Sequence, residues 1–103
     1  MIALHAELRV RPPHWETVLT RLRELLALTE NEPGNLIYAI HSAEGELVLY
    51  ELYRDRAACD DHLASPVVVA ALEGFAELLL EPPRVRVVEL LNARMALPPG
   101  LHP

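Results

Sequence analysis

Residues 36–53 read LIYAIHSAEGELVLYELY, two apolar segments on either side of a short polar stretch. The polar stretch Ser42-Ala43-Glu44-Gly45 has the composition of a turn, so the pattern predicts two antiparallel strands joined as a β-hairpin. In the second strand, residues 47–53, apolar side chains occur at both odd and even positions. Because alternate residues face opposite sides of a sheet, both faces of this strand should be covered, as in a central strand.

A strand and a helix are predicted on the N-terminal side of this hairpin. Residues 2–10 alternate apolar and polar side chains, which is typical of a strand with one apolar face. Two consecutive prolines then end the strand and open a helix, in which residues 15–26 place apolar side chains at i, i+3, i+4 and i+7. The helix should end near Asn31, because the next four residues, EPGN, have the composition of a turn.

Two helices and a strand are predicted on the C-terminal side of the hairpin. Asp55 can cap a short helix to about Leu63, and Ser65-Pro66 has the pattern of an N-cap followed by the first helical residue. The second helix should continue to about Leu80. Its inward face is expected to hold Val69, Leu72, Phe75, Ala76 and Leu79. Residues 85–91 then predict the last strand, and residues 92–103, rich in proline, predict an irregular tail.

The predicted order of elements is β-α-β-β-α-α-β, an α+β arrangement of the ferredoxin-like type. Short, right-handed connections favour a four-stranded antiparallel sheet in the order 4-1-3-2, with the helices on one face. We expect a single domain over residues 1–103, with a core over 2–91. The face without helices still carries aliphatic side chains, too much apolar surface for a lone monomer, so we expect a homodimer formed by sheet-to-sheet packing.

Composition excludes several classes of function. The formal net charge is −6, which argues against nucleic-acid binding, and all nine basic residues are arginine, which excludes lysine-based catalysis. No apolar run approaches the length of a membrane helix, and the N-terminus lacks the pattern of a signal peptide. We therefore expect a cytoplasmic protein without a membrane contact. Cys59 is the one cysteine, so no intrachain disulfide is expected; a buried or surface thiol and a reactive thiol are the two interpretations.

Three segments in register resemble motifs of the antibiotic biosynthesis monooxygenase family. The first, EPGNLIY at residues 32–38, resembles the family pattern E-x-G-x-x-x-Y. The second, YELYRD at residues 50–55, resembles Y-E-x-W-x-[DS] in strand three. The third resembles A-x-x-x-H-L-x-[ST]-P and comprises Ala58, His62, Leu63, Ser65 and Pro66. The order and spacing of the elements extend the resemblance to residues 2–91.

This resemblance implies a dimeric α+β barrel with a pocket between sheet and helices in each subunit. Family members include cofactor-independent monooxygenases that make quinones from polycyclic phenols, haem-degrading enzymes, and proteins that process a quorum signal. The first two groups use a tryptophan in strand three, where Tyr53 stands here, and an asparagine near the pocket. The asparagines of this chain, Asn31, Asn35 and Asn92, all lie outside strands one and three.

Two residues are candidates for proton transfer in such a pocket. The imidazole of His62 ordinarily titrates near neutral pH and could act as a base; alternatively, His62 fixes the helix turn before Ser65. Glu51 lies in the predicted central strand, where a carboxylate needs a partner. It could be a base or a group that orients His62, or a structural partner of an arginine or a backbone group.

The resemblance also assigns Tyr53 to the site, as a hydrogen-bond donor or a stacking ring. Tyr50 has the opposite parity and should face the other side of the sheet. The remaining pocket side chains are expected to be Tyr38, Leu49, Val69, Leu72 and Phe75.

No metal or bound cofactor is expected. The five histidines are scattered without ligand spacing, and neither a glycine-rich phosphate loop nor a dinucleotide fingerprint occurs. The leading hypothesis is a cofactor-independent monooxygenase that acts on a small hydrophobic aromatic or carbonyl compound. A non-catalytic dimeric module that binds a small apolar ligand, and a haem-degrading monooxygenase, are the alternatives.

Overall fold

The computed structural model describes residues 1–94 and residue 96. Within them, four strands and three α-helices follow one another in the predicted order. They are β1 (Ile2–Arg9), α1 (Trp15–Leu28), β2 (Asn35–Ala43), β3 (Glu46–Tyr53), α2 (Arg56–Ala64), α3 (Pro66–Gly74) and β4 (Arg84–Glu89). Short 3₁₀ turns flank α1 on both sides. Beyond residue 94, the predicted tail lies outside the described residues except for residue 96.

The strands form one antiparallel sheet in the order β2-β3-β1-β4. This is the predicted order 4-1-3-2 read from the other edge, so the α+β ferredoxin-like prediction is confirmed. β3 lies between β2 and β1, as its apolar residues on both faces predicted. The register places Leu4 of β1 opposite Glu51 of β3 and opposite Val87 of β4.

The core lies between one face of the sheet and the helices. Alternate residues of β1 are buried on that side, and α1 contributes the buried residues Val18, Leu22 and Leu25. In α3 one residue, Val68, is buried, so this helix is held less firmly than α1. In the described part of the chain, no helix is long and apolar enough to cross a membrane.

The third helix is shorter than the sequence predicts. It ends at Gly74, not near Leu80. Residues 78–80 instead run beside the end of β1, where the backbone N–H of Arg11 donates to Leu78 at 3.0 Å and that of Leu80 donates to Arg9 at 2.8 Å. Phe75 and Leu79 are still buried, but a turn and a β-bridge place them in the core. Their spacing of four residues is also that of a helix, which is why the sequence predicted one.

The predicted inward face of this helix needs correction at three positions. Val69 is 40% exposed and Leu72 is 42% exposed, and the buried position of α3 is Val68. Ala76, which lies beyond the end of the helix, is also exposed. The apolar spacing assumed one long helix, whereas the chain leaves the helix after Gly74, so the later positions do not share its inward face.

Candidate functional site

An apolar cavity of about 50 Å³ lies between the sheet and the helices. Leucine side chains from β1, α1 and β3 contribute to its wall. Leu72, Pro83 and Val85 line its outer end, where Leu72 and Val85 are exposed to solvent. Leu49, Phe75 and Tyr38, all predicted for the pocket, line the cavity as well. The wall also contains two ionisable side chains, Glu51 and His62.

Glu51 and His62 are both buried, with 4% and 6% of their surfaces exposed. The Nε2 atom of His62 lies 3.4 Å from Oε1 of Glu51. The same carboxyl oxygen accepts a hydrogen bond from the Tyr53 hydroxyl. Burial raises the pKa of Glu51, although the bond from Tyr53 and the nearby His62 oppose that rise. This raised pKa brings the carboxyl closer to neutral pH, where a general base works best.

The other nitrogen of His62 is bound to Glu32. His62 Nδ1 lies 2.6 Å from Oε1 and 3.1 Å from Oε2 of this glutamate. Because a carboxylate only accepts hydrogen bonds, Nδ1 carries the hydrogen, and in the neutral ring Nε2 is then the free acceptor on the cavity side. A base oriented by a carboxylate on its far nitrogen is the arrangement that hydrolytic triads also use.

Tyr38 and Tyr53 hold the His62 ring from the side of the sheet. Their ring centres lie 6.2 Å and 5.5 Å from that of His62, both in tilted, edge-type contacts. Burial, followed by the repulsion from Glu51, raises the pKa of both phenols, so both remain hydrogen-bond donors at neutral pH.

A close approach between a loop and α2 places Glu32 beside His62. A Cβ atom on Gly34 would lie 2.5 Å from the Cβ of Ala58, so only glycine permits this packing. The loop is also tied to β3, since the Arg54 N–H donates to the Gly34 carbonyl at 2.8 Å. Asp55 caps α2 by accepting from the Ala58 N–H at 2.9 Å, which lowers the pKa of that carboxyl.

A second, polar cleft of about 500 Å³ lies on the outer side of this loop. Its wall includes Glu32, Arg54, Asp55, Asp61 and Ser65. In the part of the chain that the structure describes, His62 alone lines both the apolar cavity and this cleft. Its ring therefore forms the partition between an apolar and a polar compartment.

The structure brings most of the predicted site residues together. Glu51, His62, Tyr38, Leu49, Leu72 and Phe75 surround the cavity, whereas Val69 does not line it. Tyr53 lies behind Glu51, fully buried and outside the cavity wall, so it contacts the site through the Glu51 carboxyl and the His62 ring. Tyr50 lies on the opposite face of β3, where its ring meets that of His5 at 5.2 Å.

The alternative interpretations of the two ionisable residues can now be compared with their contacts. The His62 backbone carbonyl accepts from the Ser65 N–H, but the side chain points to Glu32 and Glu51. Among the described residues, no arginine pairs with Glu51. Cys59 is fully buried, and burial raises the pKa of its thiol, as expected for a core cysteine.

Sequence reasoning missed Glu32 and part of the cavity wall. Glu32 was interpreted as part of a turn, because its partner His62 is thirty residues away along the chain. The signal that could have identified it is the E-x-G pattern itself: an acidic residue two positions before a glycine that permits close packing. In the cavity wall, Val68 takes the place predicted for Val69, and residues of β1, α1 and β4 that were not predicted for the pocket also line it.

In residues 1–94 and 96, no group of three histidine, cysteine, aspartate or glutamate side chains could hold a metal ion. The carboxyls of Glu32 and Glu51 meet opposite nitrogens of the His62 ring, so their oxygens do not converge on one point.

Comparison with known proteins identifies relatives over nearly the whole chain. Rv0793 of Mycobacterium tuberculosis, which carries the provisional name of a monooxygenase, is 32% identical over 97 residues, covering 92% of this chain and 96% of its own. Its solved structure matches with a TM-score of 0.85 over 91% of this chain and 98% of that one. A crystal structure described as an antibiotic biosynthesis monooxygenase is 25% identical, with a TM-score of 0.80 over 89% of this chain and all of that one.

An uncharacterized protein of Synechocystis, sll1783, is 24% identical over 96 residues, and the alignment spans 65% of its length. The family model for the antibiotic biosynthesis monooxygenases matches residues 1–74, which contain Glu32, Glu51 and His62. On this match and the 32% identity with Rv0793, the chain belongs to the antibiotic biosynthesis monooxygenase family.

Proposed function

We propose that this chain is a cofactor-independent monooxygenase that acts on a small, electron-rich aromatic compound, or on a carbonyl compound that forms an enol. The observation that carries the proposal is the Glu51–His62 pair, two buried ionisable groups in the wall of an otherwise apolar cavity. Buried ionisable groups of this kind are costly to a fold and concentrate at functional sites. Membership in a family of monooxygenases supports the same reaction class.

The chemistry requires little more than a base and a dry pocket. The Glu51–His62 pair removes the phenolic proton, and the resulting anion transfers one electron to dioxygen. The phenoxyl radical and superoxide then combine at a ring carbon that carries hydrogen, and the peroxide loses water to leave a quinone. One phenol and one dioxygen thus give one quinone and one water, and the substrate itself supplies all the electrons. The apolar wall excludes bulk water from the anion.

The size of the cavity supports a small substrate. A dry cavity of about 150 Å³ holds one benzene ring, whereas this cavity measures about 50 Å³. The wall must therefore open for even a single ring, and α3 buries only Val68, whereas α1 buries Val18, Leu22 and Leu25. A polycyclic phenol or a haem macrocycle would require a far larger displacement. We therefore favour a one-ring substrate over haem degradation and over the binding of larger ligands.

We also propose that the chain acts as a homodimer through the face of the sheet opposite the helices. Val48 and Tyr50 of β3 point to that face beside Ala39 of β2, and all three side chains are partly exposed. A group of apolar and aromatic side chains on a sheet face without helices is typical of an interface.

Oxygen consumption with a panel of one-ring phenols and hydroquinones tests the function. Wild-type protein should consume oxygen in proportion to quinone formed, and His62→Ala should lower kcat by about 10²–10⁴-fold, as for loss of a general base. Free imidazole should restore part of the rate, because the substitution empties a ring-sized space beside the cavity. His14→Ala, which removes a histidine remote from the cavity, is the control.

A binding module makes a different prediction for the same variants. It would bind a phenol without consuming oxygen, and His62→Ala would change the affinity alone. Equal oxygen consumption by wild type and His62→Ala would exclude the proposed role of this pair.

A further inference from the structure

We propose that His62 is a proton conduit between the two compartments, and that Glu32 is the positioning residue that exchanges the substrate proton with water in the polar cleft. This inference rests on the proposed function, since it concerns the fate of the proton that the Glu51–His62 pair removes. Its basis is geometric: one ring lines both compartments and binds a different carboxyl at each of its nitrogens.

The apolar cavity gives a proton no other route among the described residues. The groups that face His62 are Glu51 and Tyr53 from β3, Tyr38 from β2, and Glu32 from the loop before β2. Both tyrosines have raised pKa values, so neither releases a proton at neutral pH. Of the two carboxyls that meet the His62 ring, Glu32 is the one that reaches solvent, with 31% of its side chain exposed, whereas the side chains of Glu51 and His62 are each 5% exposed.

The transfer can be written as three proton steps. Glu51 takes the hydroxyl proton of the substrate. It passes this proton to Nε2 of His62 over the 3.4 Å contact, and the hydrogen on Nδ1 moves to Glu32 over the 2.6 Å contact. In each step one O–H or N–H bond breaks and one forms, and a small approach of Nε2 to the Glu51 carboxyl would shorten the 3.4 Å contact to hydrogen-bond length.

The overall reaction also returns the proton. Phenol and dioxygen give quinone and water with no net proton released, so the proton stored on the cleft side is needed again when the peroxide loses water. The same three steps in reverse supply it and restore the Nδ1–H tautomer of His62. The substrate therefore enters on the apolar side, past Leu72 and Val85, while its proton leaves and returns on the polar side.

Rapid mixing with 4-nitrophenol in the absence of oxygen tests this route separately from oxygenation. The phenolate of this probe is coloured, so its ionisation on binding is visible, and the measurement is made below the pKa of the free probe. We expect Glu32→Gln to slow net ionisation by about 100-fold, the scale of a lost proton-transfer group, because a carboxamide cannot take the proton from His62, and the proton then returns from the Glu51–His62 pair to the probe. Glu30→Gln, the same substitution on an exposed neighbour in the 3₁₀ turn, is the control.

The outcomes separate the two proposals. If wild-type protein leaves the probe un-ionised, the base assigned under the proposed function is wrong and the conduit is excluded with it. If wild type and Glu32→Gln ionise the probe at the same rate, the conduit is excluded and the proposed function stands. Nitrogen NMR of the wild-type His62 ring provides a check without any variant: the conduit requires hydrogen on Nδ1, and hydrogen on Nε2 alone in the resting protein would overturn it.

Discussion

Glu51 is a single residue whose buried position lowers the stability of the fold when its carboxyl is ionised. Its carboxyl is buried beside an apolar cavity, and burial raises its pKa. The folded chain therefore binds this proton more tightly than the unfolded chain does. The stabilisation that results is complete below the ordinary pKa of 4.5 and is lost as the pH rises through the higher folded value. Above that value the fold contains a buried, ionised carboxylate.

We predict that Glu51→Gln is more stable than wild type at neutral pH and less active. Glutamine still accepts the hydrogen bond from Tyr53 but carries no charge, so the cost of burying an ionised group disappears. The loss of the base should lower kcat by about 10²–10⁴-fold. Thermal melts at a series of pH values measure the stability effect, and the advantage of Glu51→Gln should grow as the pH rises above 4.5.

Glu16→Gln is the matched control for these melts, because Glu16 is exposed on the first turn of α1. Its melting temperature should follow that of wild type at every pH. A Glu51→Gln variant that lost stability as the pH rose, relative to wild type, would mean that the ionised carboxylate is a structural requirement of the fold.

At the scale of elements, the position of Glu32 depends on how closely its loop packs against α2. We predict that Gly34→Ala costs about 1–3 kcal/mol of unfolding free energy, as for other overpacked sites, because its Cβ would overlap that of Ala58. The loop must shift outward and take Glu32 away from Nδ1 of His62, so activity should fall as well. Chemical denaturation and oxygen consumption measure the two effects.

A second substitution tests whether the overlap itself is responsible. Ala58→Gly costs about 1 kcal/mol in a helix, but combined with Gly34→Ala it removes the clashing methyl group. The double variant should therefore recover part of the lost activity, and the two stability effects should not add. Strictly additive effects would show that Gly34 acts through its backbone freedom and not through its contact with α2.

The elements were predictable where their cause is local. β1, α1 and the hairpin follow from periods of two and 3.6 residues, and the order of the strands follows from short connections and from the apolar residues on both faces of β3. The end of α3 was not predictable, because the Leu80 N–H donates to Arg9 and the Leu78 carbonyl accepts from Arg11, about seventy residues earlier in the chain. The apolar spacing of Phe75 and Leu79 satisfies a helix and a turn equally well.

In the candidate site, too, some features could be predicted from the sequence and others could not. His62 and Glu51 could be selected from the sequence because burying an ionisable group within an apolar segment is costly and therefore points to a role for that group. The contact of His62 with Glu32 could not be predicted, since it depends on the packing of a loop on a helix thirty residues away. Tyr53 has the parity of the cavity, yet the Glu51 side chain lies between its hydroxyl and the cavity, a matter of side-chain position that sequence spacing does not determine.

At the scale of the whole molecule, the two faces of the sheet have different roles. The face toward the helices holds the cavity, and the opposite face carries the proposed dimer interface. On that face Val48 lies opposite Glu7 of β1 and His41 of β2, close to the apolar centre formed by Tyr50 and Ala39. Separating the faces in this way leaves α3 free to open the cavity while the proposed dimer holds the sheet rigid.

We predict that Val48→Lys converts a wild-type dimer into a folded monomer. In a single chain the new lysine can pair with Glu7 on the neighbouring strand, so the fold should survive. In the dimer its charge would be taken out of water without a dedicated partner, which costs several kcal/mol. Light scattering coupled to size exclusion should report half the wild-type mass, with an unchanged circular dichroism spectrum.

Val67→Lys, the same substitution on an exposed valine of α3, should stay dimeric. A wild-type protein that runs as a monomer at all concentrations would exclude this interface, and a Val48→Lys dimer would locate the contact elsewhere on the molecule.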